Sequence, residues 1–508
     1  MTNISFNGRV LIIGFGGVAQ CTLPLLRKHM DTPVHHFTVM DFADEVPEKL
    51  QQWIDAGVNF CKDRIQPARM DKQLSALVGP GDMIIDLAWN IDCVDILTWC
   101  HKHQVLYINT SVELWDPYAD NALTPPERTL YVRHMAIRKM LEDWGGNRGP
   151  TAVLDHGANP GLVSHFTKRA LRDIAAKIVT DRPDDPRRAT LERALADRHY
   201  NLLAQTVGVK TIHVSERDTQ VSYIPRQPGE FVNTWSVEGL YEEGVAPAEM
   251  GWGTHERTLP IGAWEHKVGP CNQICLDSRG IDTFVRTRVP SSDIVGMVIR
   301  HGEAFSLSDY LSVADASDKI VYRPTVHYTY LPCADASACL REVRANNYRN
   351  LPRHRIMSDD IGRGLDELGV LLMGHDFKSW WCGTILSIQE ARELVPHQNA
   401  TTLQVAASVL GAVAWMIRNP KRGVRLPDEL PDDEILNSAS EYLGHTPSIP
   451  LDWTPLGDRL GSDSNAHLDD SVWQFENFLI RPGECDEDGQ PIVGPRLLKE
   501  HLDPLTLS

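Results

Sequence analysis

The sequence predicts an α/β fold: a Rossmann-type, doubly wound parallel sheet followed by a second α+β domain with a mostly antiparallel sheet. Three observations predict it. Short β-rich runs alternate with amphipathic stretches over the first third of the chain, a glycine-rich turn follows the first run, and the alternation stops near residue 160. Strands alternating with helices bury both faces of a parallel sheet, whereas strands following one another favour antiparallel pairing.

Taken in order, "RVLIIG", "HFTVMD", "MIIDLA", "VLYINT" and "AVLDHG" read as the parallel strands. "HGANPGLVSHF" then opens a helix, with Asn159 as its cap and Pro160 at its first position. The charged, Pro-broken "TDRPDDPRRATLERALADRHYN" reads as a surface connection and a solvated helix. Seven further segments read as strands: "VKTIHVSERD", "FVNTWSV", "NQICLDS", "TFVRTRVP", "VGMVIRH", "TVHYTYL" and "ELGVLLMG". Helices return from about Ser387. The longest apolar run, "LQVAASVLGAVAWMI", is shorter than the roughly 20 residues a bilayer needs and reads as a buried helix, so no membrane association is expected. The expected units are residues 1–160, binding a dinucleotide; 161–400, holding the substrate; and 401–508, helices and a tail packed back on the first unit.

Composition narrows the chemistry. With 68 acidic and 50 basic side chains, the formal charge of -18 argues against a nucleic-acid partner and is compatible with cationic ligands. The ten cysteines are scattered, and "CNQIC" lacks a second ligand pair, so no metal is expected and the thiols are read as reduced. The N-terminus carries no basic segment before a long apolar run; no signal peptide is read, and a cytoplasmic location is expected.

The first strand runs into Gly14-x-Gly16-x-x-Ala19, with Gly17 and Val18 between, and then a helix. Glycines here let the backbone approach a pyrophosphate, whose charge the free N–H groups and the helix dipole stabilise. Asp41 ends the second strand, where it can bond ribose hydroxyls and repel a 2′-phosphate; "FADEVPEK" supplies no Arg to receive one. NAD is therefore favoured over NADP. FAD, or a turn that binds nothing, are the alternatives.

Ligands of such sheets sit beyond the carboxyl ends of the strands. The loops there present Trp89, Asn90 and Asp92; Thr110, Ser111 and Glu113; and His156 and Asn159. In the second unit, Glu216 stands beside Arg217 and Asp218, His301 ends an apolar strand, and Asp366 and Glu367 precede a buried run. Capping, a structural ion-pair cluster and a satisfied histidine explain each of these singly as well as a site does. Together they offer carboxylates and a Trp with few guanidiniums beyond Arg217, which suits a diamine or polyamine better than a carboxylate substrate. Trp235 stands among Glu238, Glu242 and Glu243 in "FVNTWSVEGLYEEG".

The blocks "GFGGVAQ", "NTSVELW", "DHGANPGLVS", "IHVSERDTQ", "FVNTWSVEGL", "GWGTHE", "IRHGEA", "DELGVLLMGH" and "HQNATTLQVAASVL" resemble those of the bacterial homospermidine synthases, in the wider saccharopine-dehydrogenase-like group, from Arg9 to about Asn419. The resemblance implies joining of two putrescines, or of spermidine and putrescine, with NAD reduced and reoxidised in each turnover. It implies Trp235 as a cation–π platform, and Glu113, Asn159, Glu216, Glu243, His301 and Asp366 as polar lining. Glu216 and His301 are the candidate proton acceptors; Glu238 and Glu242 are left as solvated or capping charges. Where Asn90 stands the family pattern has an acidic residue, with Asp92 the nearest substitute. Thr110 and His156 are placed with Gly14, Gly16, Gly17, Val18, Ala19 and Asp41 at the cofactor. A homodimer is implied, formed through the second unit. The alternatives are a saccharopine- or carboxynorspermidine-type dehydrogenase and an inactive NAD-binding scaffold.

Overall fold

The computed structural model describes residues 4–43, 45–118, 122–457, 470–481 and 484. The expected tail beyond them lies outside the described residues. The first unit is built on a seven-stranded, wholly parallel sheet. Across the sheet run Val424–Arg425, Ala152–Val153, Leu106–Asn109, Met83–Asp86, Val10–Ile13, Phe37–Asp41 and Asn59–Lys62. The chain leaves Val10–Ile13 in one direction and returns on its other side at Met83–Asp86. Their carboxyl ends therefore flank the crevice where such sheets take ligands. Five of the seven strands follow the expected segments. Asn59–Lys62 is an edge strand without a buried run, and Val424–Arg425 is two residues arriving from far along the chain.

The second sheet has ten strands. One pairing is parallel, Thr325–Leu331 with Thr211–Asp218; the rest are antiparallel. Lys378–Ser387, which the sequence reading passed over, doubles back along Leu365–His375 through a tight turn in which Lys378 has φ of 61°. "FVNTWSV" is a strand only over Glu230–Asn233. Trp235 lies in the bend after it, and Ser236 caps a helix, Val237–Val245, by accepting from the Gly239 N–H.

Two long helices join the layers. Ala400–Arg418 packs on Leu106–Asn109 on one side and Leu365–His375 on the other, while Leu162–Asp181 lies against Leu365–His375 and Lys378–Ser387. Ala400–Arg418 is long and apolar enough to cross a bilayer, but here its apolar surface is buried between the sheets, as expected of a core helix. The region after residue 401 does not pack on the first unit alone. Val424–Arg425 extends the parallel sheet, Ser448–Leu451 pairs with Lys378–Ser387, and Trp473, Phe475 and Phe478 cover the far face of the second sheet.

Candidate functional site

A cleft of about 1150 Å³, mouth included, opens where the two sheets meet. The glycine turn lies beside it and brings Val18 to its wall. Gly14 has φ of 84°, and a side chain there would press on the Leu87 carbonyl and the Ala88 backbone, so glycine lets the turn lie against the neighbouring strand end. Gly16 caps the helix Gly17–His29 with no side-chain bond to the first turn, and the space beside it is empty. That leaves N–H groups and the positive helix end facing an open cradle, which fits a pyrophosphate. Asp41 accepts from the Phe15 N–H at 2.7 Å and the Ala43 N–H at 2.8 Å, so its carboxylate braces the turn from the strand end where ribose is read. Val18 and Thr110 line the cleft.

His156 does not join them. Its ring is wholly buried, bonded to Ser408 Oγ at 2.9 Å and His165 Nε2 at 3.1 Å, and burial pushes its pKa down to about 3. It is a neutral core histidine; the strand end turns Asp155 and Gly157 to the cleft instead. Asn90 also falls outside the lining, with Trp89 taking the wall position. Asp92 does not replace it: its carboxylate caps the helix Cys93–His103, accepting from the N–H groups of Val94 and Asp95.

The opposite wall gathers the predicted polar residues. Glu216 accepts a 2.6 Å bond from the Tyr328 hydroxyl and a 3.3 Å bond from Asn159 Nδ2. Asn159 reaches it because the helix begins at Leu162 behind a Gly161 cap, not at Asn159. The ion-pair alternative for Glu216 fails by strand alternation: Arg217 points to the other face, toward Ser291 and Ser292. Asp218 shares the Glu216 face, and cross-strand register sets Asp366 opposite Asp218. Three carboxyls thus converge under one wall. Burial pushes Glu216 up to about 7 and Asp218 to about 6; burial and then the other two carboxyls raise Asp366 further. Asp366 sits one layer behind the lining, held by the Thr401 hydroxyl at 2.6 Å with its Oδ1 unpaired.

Trp235 closes the wall, its Nε1–H donating to the Tyr330 hydroxyl at 3.2 Å. Gly239 makes room for the ring, since a side chain there would meet the indole at 2.8 Å. Glu243 and Glu113 bring two more carboxyls, each with one buried oxygen that takes no hydrogen bond, that of Glu113 lying 3.7 Å from Arg133 Nη1. Burial raises both to about 7. His301 stands with Nε2 3.9 Å from Glu243 and Nδ1 3.1 Å from Glu303.

Glu242 corrects the sequence reading. It is 4% exposed, not solvated, and accepts from Trp89 Nε1 at 3.0 Å, Arg133 Nη2 at 2.7 Å and Arg300. Burial opposes its charge, but the two guanidiniums hold its pKa at about 2. Arg133 and Arg300 do line the cleft, contrary to the expected shortage, yet Glu242 occupies both. Arg133 lies outside the matching blocks, and Arg300, although within "IRHGEA", carries no local sign of its partner. Five carboxyl side chains, of Glu113, Asp155, Glu216, Glu242 and Glu243, line the cleft against these two guanidiniums. The balance favours a cation.

Comparison with known proteins agrees with this chemistry. Residues 10–153 match the saccharopine dehydrogenase NADP binding domain, and 157–446 the saccharopine dehydrogenase C-terminal domain. A homospermidine synthase of Mesorhizobium japonicum is 38% identical over 485 residues, covering 93% of this chain and 96% of that one. One of Blastochloris viridis is 37% identical over 480 residues, covering 94% and 98%. The crystal structure of the homospermidine synthase of Legionella pneumophila in complex with NAD superposes with a TM-score of 0.81 at 35% identity, covering 95% of this chain and 99% of that one. Resemblance in sequence blocks, fold and cleft chemistry converge, and the chain belongs to the homospermidine synthase family.

Proposed function

We propose that the cleft joins two putrescines, or spermidine and putrescine, into homospermidine with loss of ammonia or 1,3-diaminopropane and no net oxidation. The observation that carries this reading is the set of buried, partly unpaired carboxyls around an indole face, beside a glycine turn shaped for a dinucleotide. NAD, held by the glycine turn and Asp41, would take a hydride from the carbon bearing one amine and return it to the imine formed with the second. Asp41 opposes a 2′-phosphate, so NAD fits better than the NADP of the matching domain's description.

The chain's own residues do the rest. Hydride loss needs a neutral amine, and a buried carboxyl with a pKa of about 7 is matched to taking that proton near neutral pH; Glu216 holds this position. The iminium that follows is a cation without a bulk-water shell, and the Trp235 face with the Glu243 carboxylate stabilises it as it develops, Glu216 now holding the amine's proton. Glu113 and Glu243 hold the distal ammonium, with Asp366 adding negative charge from behind. A dehydrogenase acting on an amino acid needs a free guanidinium for the carboxylate. Both candidates here are occupied by Glu242. The homodimer implied by the resemblance is part of this reading.

Purified protein with putrescine and catalytic NAD is expected to yield homospermidine and ammonia in equal amounts while absorbance at the NADH band stays flat. NADH rising in step with product would favour the dehydrogenase, and absence of any amine product the scaffold. Putrescine binding also has an expected proton signature. Glu113, Glu216 and Glu243 hold protons below about 7. An arriving ammonium stabilises their ionised forms, so protons leave on binding and affinity rises as pH climbs through that range. Calorimetry near pH 6.5 in buffers of different ionisation enthalpy checks the sign; proton uptake contradicts it.

A further inference from the structure

Glu303 lies in the block "IRHGEA", two residues after His301, and holds two parts of the cleft at once. It is 2% exposed, one residue into the helix Gly302–Tyr310. Its Oε1 accepts the Gly161 N–H at 2.9 Å, in the turn that carries Asn159. Its Oε2 lies 3.1 Å from Nδ1 of His301, which lines the cleft. Both oxygens are engaged, and each contact ends on an element that presents a polar side chain to the cleft.

We propose that Glu303 is a positioning residue: by accepting the Nδ1–H of His301 it fixes the tautomer that turns the Nε2 lone pair into the cleft, where it takes a proton from the ammonium of the second putrescine, which must be neutral to attack, Glu216 serving the first. This inference deepens the reading above and rests on it. The step is a proton transfer alone. The N–H bond of the ammonium breaks, an Nε2–H bond forms, the amine keeps the electron pair, and the Nδ1–H stays bonded to Glu303. A neutral imidazole free to choose its tautomer would present a donor to the cleft part of the time and repel an ammonium N–H.

The groups facing His301 are consistent with this role. Glu303 lies on its own helix, Glu243 comes from Val237–Val245, Glu216 from Thr211–Asp218, and the Tyr328 ring packs edge-on at 4.6 Å from Thr325–Leu331. Burial pulls the imidazole pKa down, but the bond to Glu303 and the Glu243, Glu303 and Glu216 carboxylates outweigh it, and the net shift is upward. The resulting base therefore accepts a proton more readily than an isolated buried histidine.

Glu303→Gln keeps shape and an acceptor for Gly161 but loses the charge. It is expected to lower kcat by roughly 10- to 100-fold with KM for putrescine little changed, and to move the acidic limb of the kcat profile attributable to His301 to lower pH. A far-downfield imidazole N–H proton resonance is expected in the parent and lost in both Glu303→Gln and His301→Gln. That signal needs no turnover, so its absence from the parent overturns the proposal without touching the reaction assigned above. A Glu303→Gln protein that melts lower but keeps the parental kcat and pH profile overturns it too, because Glu303 would then only brace the Gly161 turn. Should Glu303→Gln fail to fold, Glu303→Asp keeps the charge and shortens the reach. It is expected to weaken the resonance and lower kcat, and parental values for both overturn the proposal.

Discussion

Trp235→Ala is expected to lose about 30-fold in kcat/KM for putrescine while its thermal melt stays close to the parent's. The magnitude follows from a desolvated cation–π contact of about 2 kcal/mol, with each 1.36 kcal/mol worth about tenfold in rate. The ring is a wall of the cleft at the edge of the core: it is partly exposed, packs on the core along one side, donates one bond to Tyr330, and lies over a glycine. Trp235→Phe keeps a smaller π face and loses the N–H bond, so it is expected to retain a fraction of turnover above the alanine variant. Steady-state kinetics on the three proteins, with circular dichroism melts alongside, checks this. Parental activity in Trp235→Ala contradicts the cation–π role.

Glu216→Gln is expected to cost more, about 10²- to 10⁴-fold in kcat, because it removes the acceptor of the first amine's proton. Glutamine still offers an oxygen to Tyr328 and Asn159, so the wall keeps its shape. The pH profile is the sharper readout. In the parent, kcat/KM falls as pH drops below about 7, since the ionised form is the base. Glu216, Asp218 and Asp366 interact, so this limb belongs to the cluster, with Glu216 its member at the cleft. Removing Glu216 takes away a like charge, which lowers the pKa of the two that remain. In kcat at saturating putrescine, where the binding contribution of Glu113 and Glu243 drops out, the limb due to this cluster should therefore vanish or move to lower pH, and an unchanged limb assigns the first proton to another group.

Much of the parallel sheet was legible, because each central strand is a buried apolar run ending in a turn, and hydrophobic period is a local signal. Val424–Arg425 was not. It is two residues long and gains its place from the chain's return past the helix Ala400–Arg418. The bend at Trp235 misled in the same way: β-branched residues around it suggested a continuous strand, but the Ser236 cap starts a helix there. That helix decides the fate of neighbouring acids. Glu243 faces the cleft, Glu242 faces Arg133 and Arg300, and Glu238 stays at the surface beside His354.

Site residues on strand ends were readable where the strand's own alternation aims them, as with Glu216. Roles set by partners from remote segments were not. His156 follows a strand end like its cleft-lining neighbours Asp155 and Gly157, yet Ser408 and His165 draw it into the core. Asp218 shares the Glu216 face by alternation, but Asp366 joins them only through antiparallel register. Arg133 and Arg300 meet Glu242 from separate elements, so no local pattern announces that the guanidiniums are already neutralised.

The central claim is that hydride leaves and returns within one turnover. Putrescine deuterated at both carbons bonded to nitrogen, incubated with this protein, catalytic NAD and excess unlabelled NADH, tests it by mass spectrometry of the product. Homospermidine that retains every deuterium of its two precursors is the predicted result. A product one deuterium lighter, with label appearing in the free nucleotide pool, would contradict it.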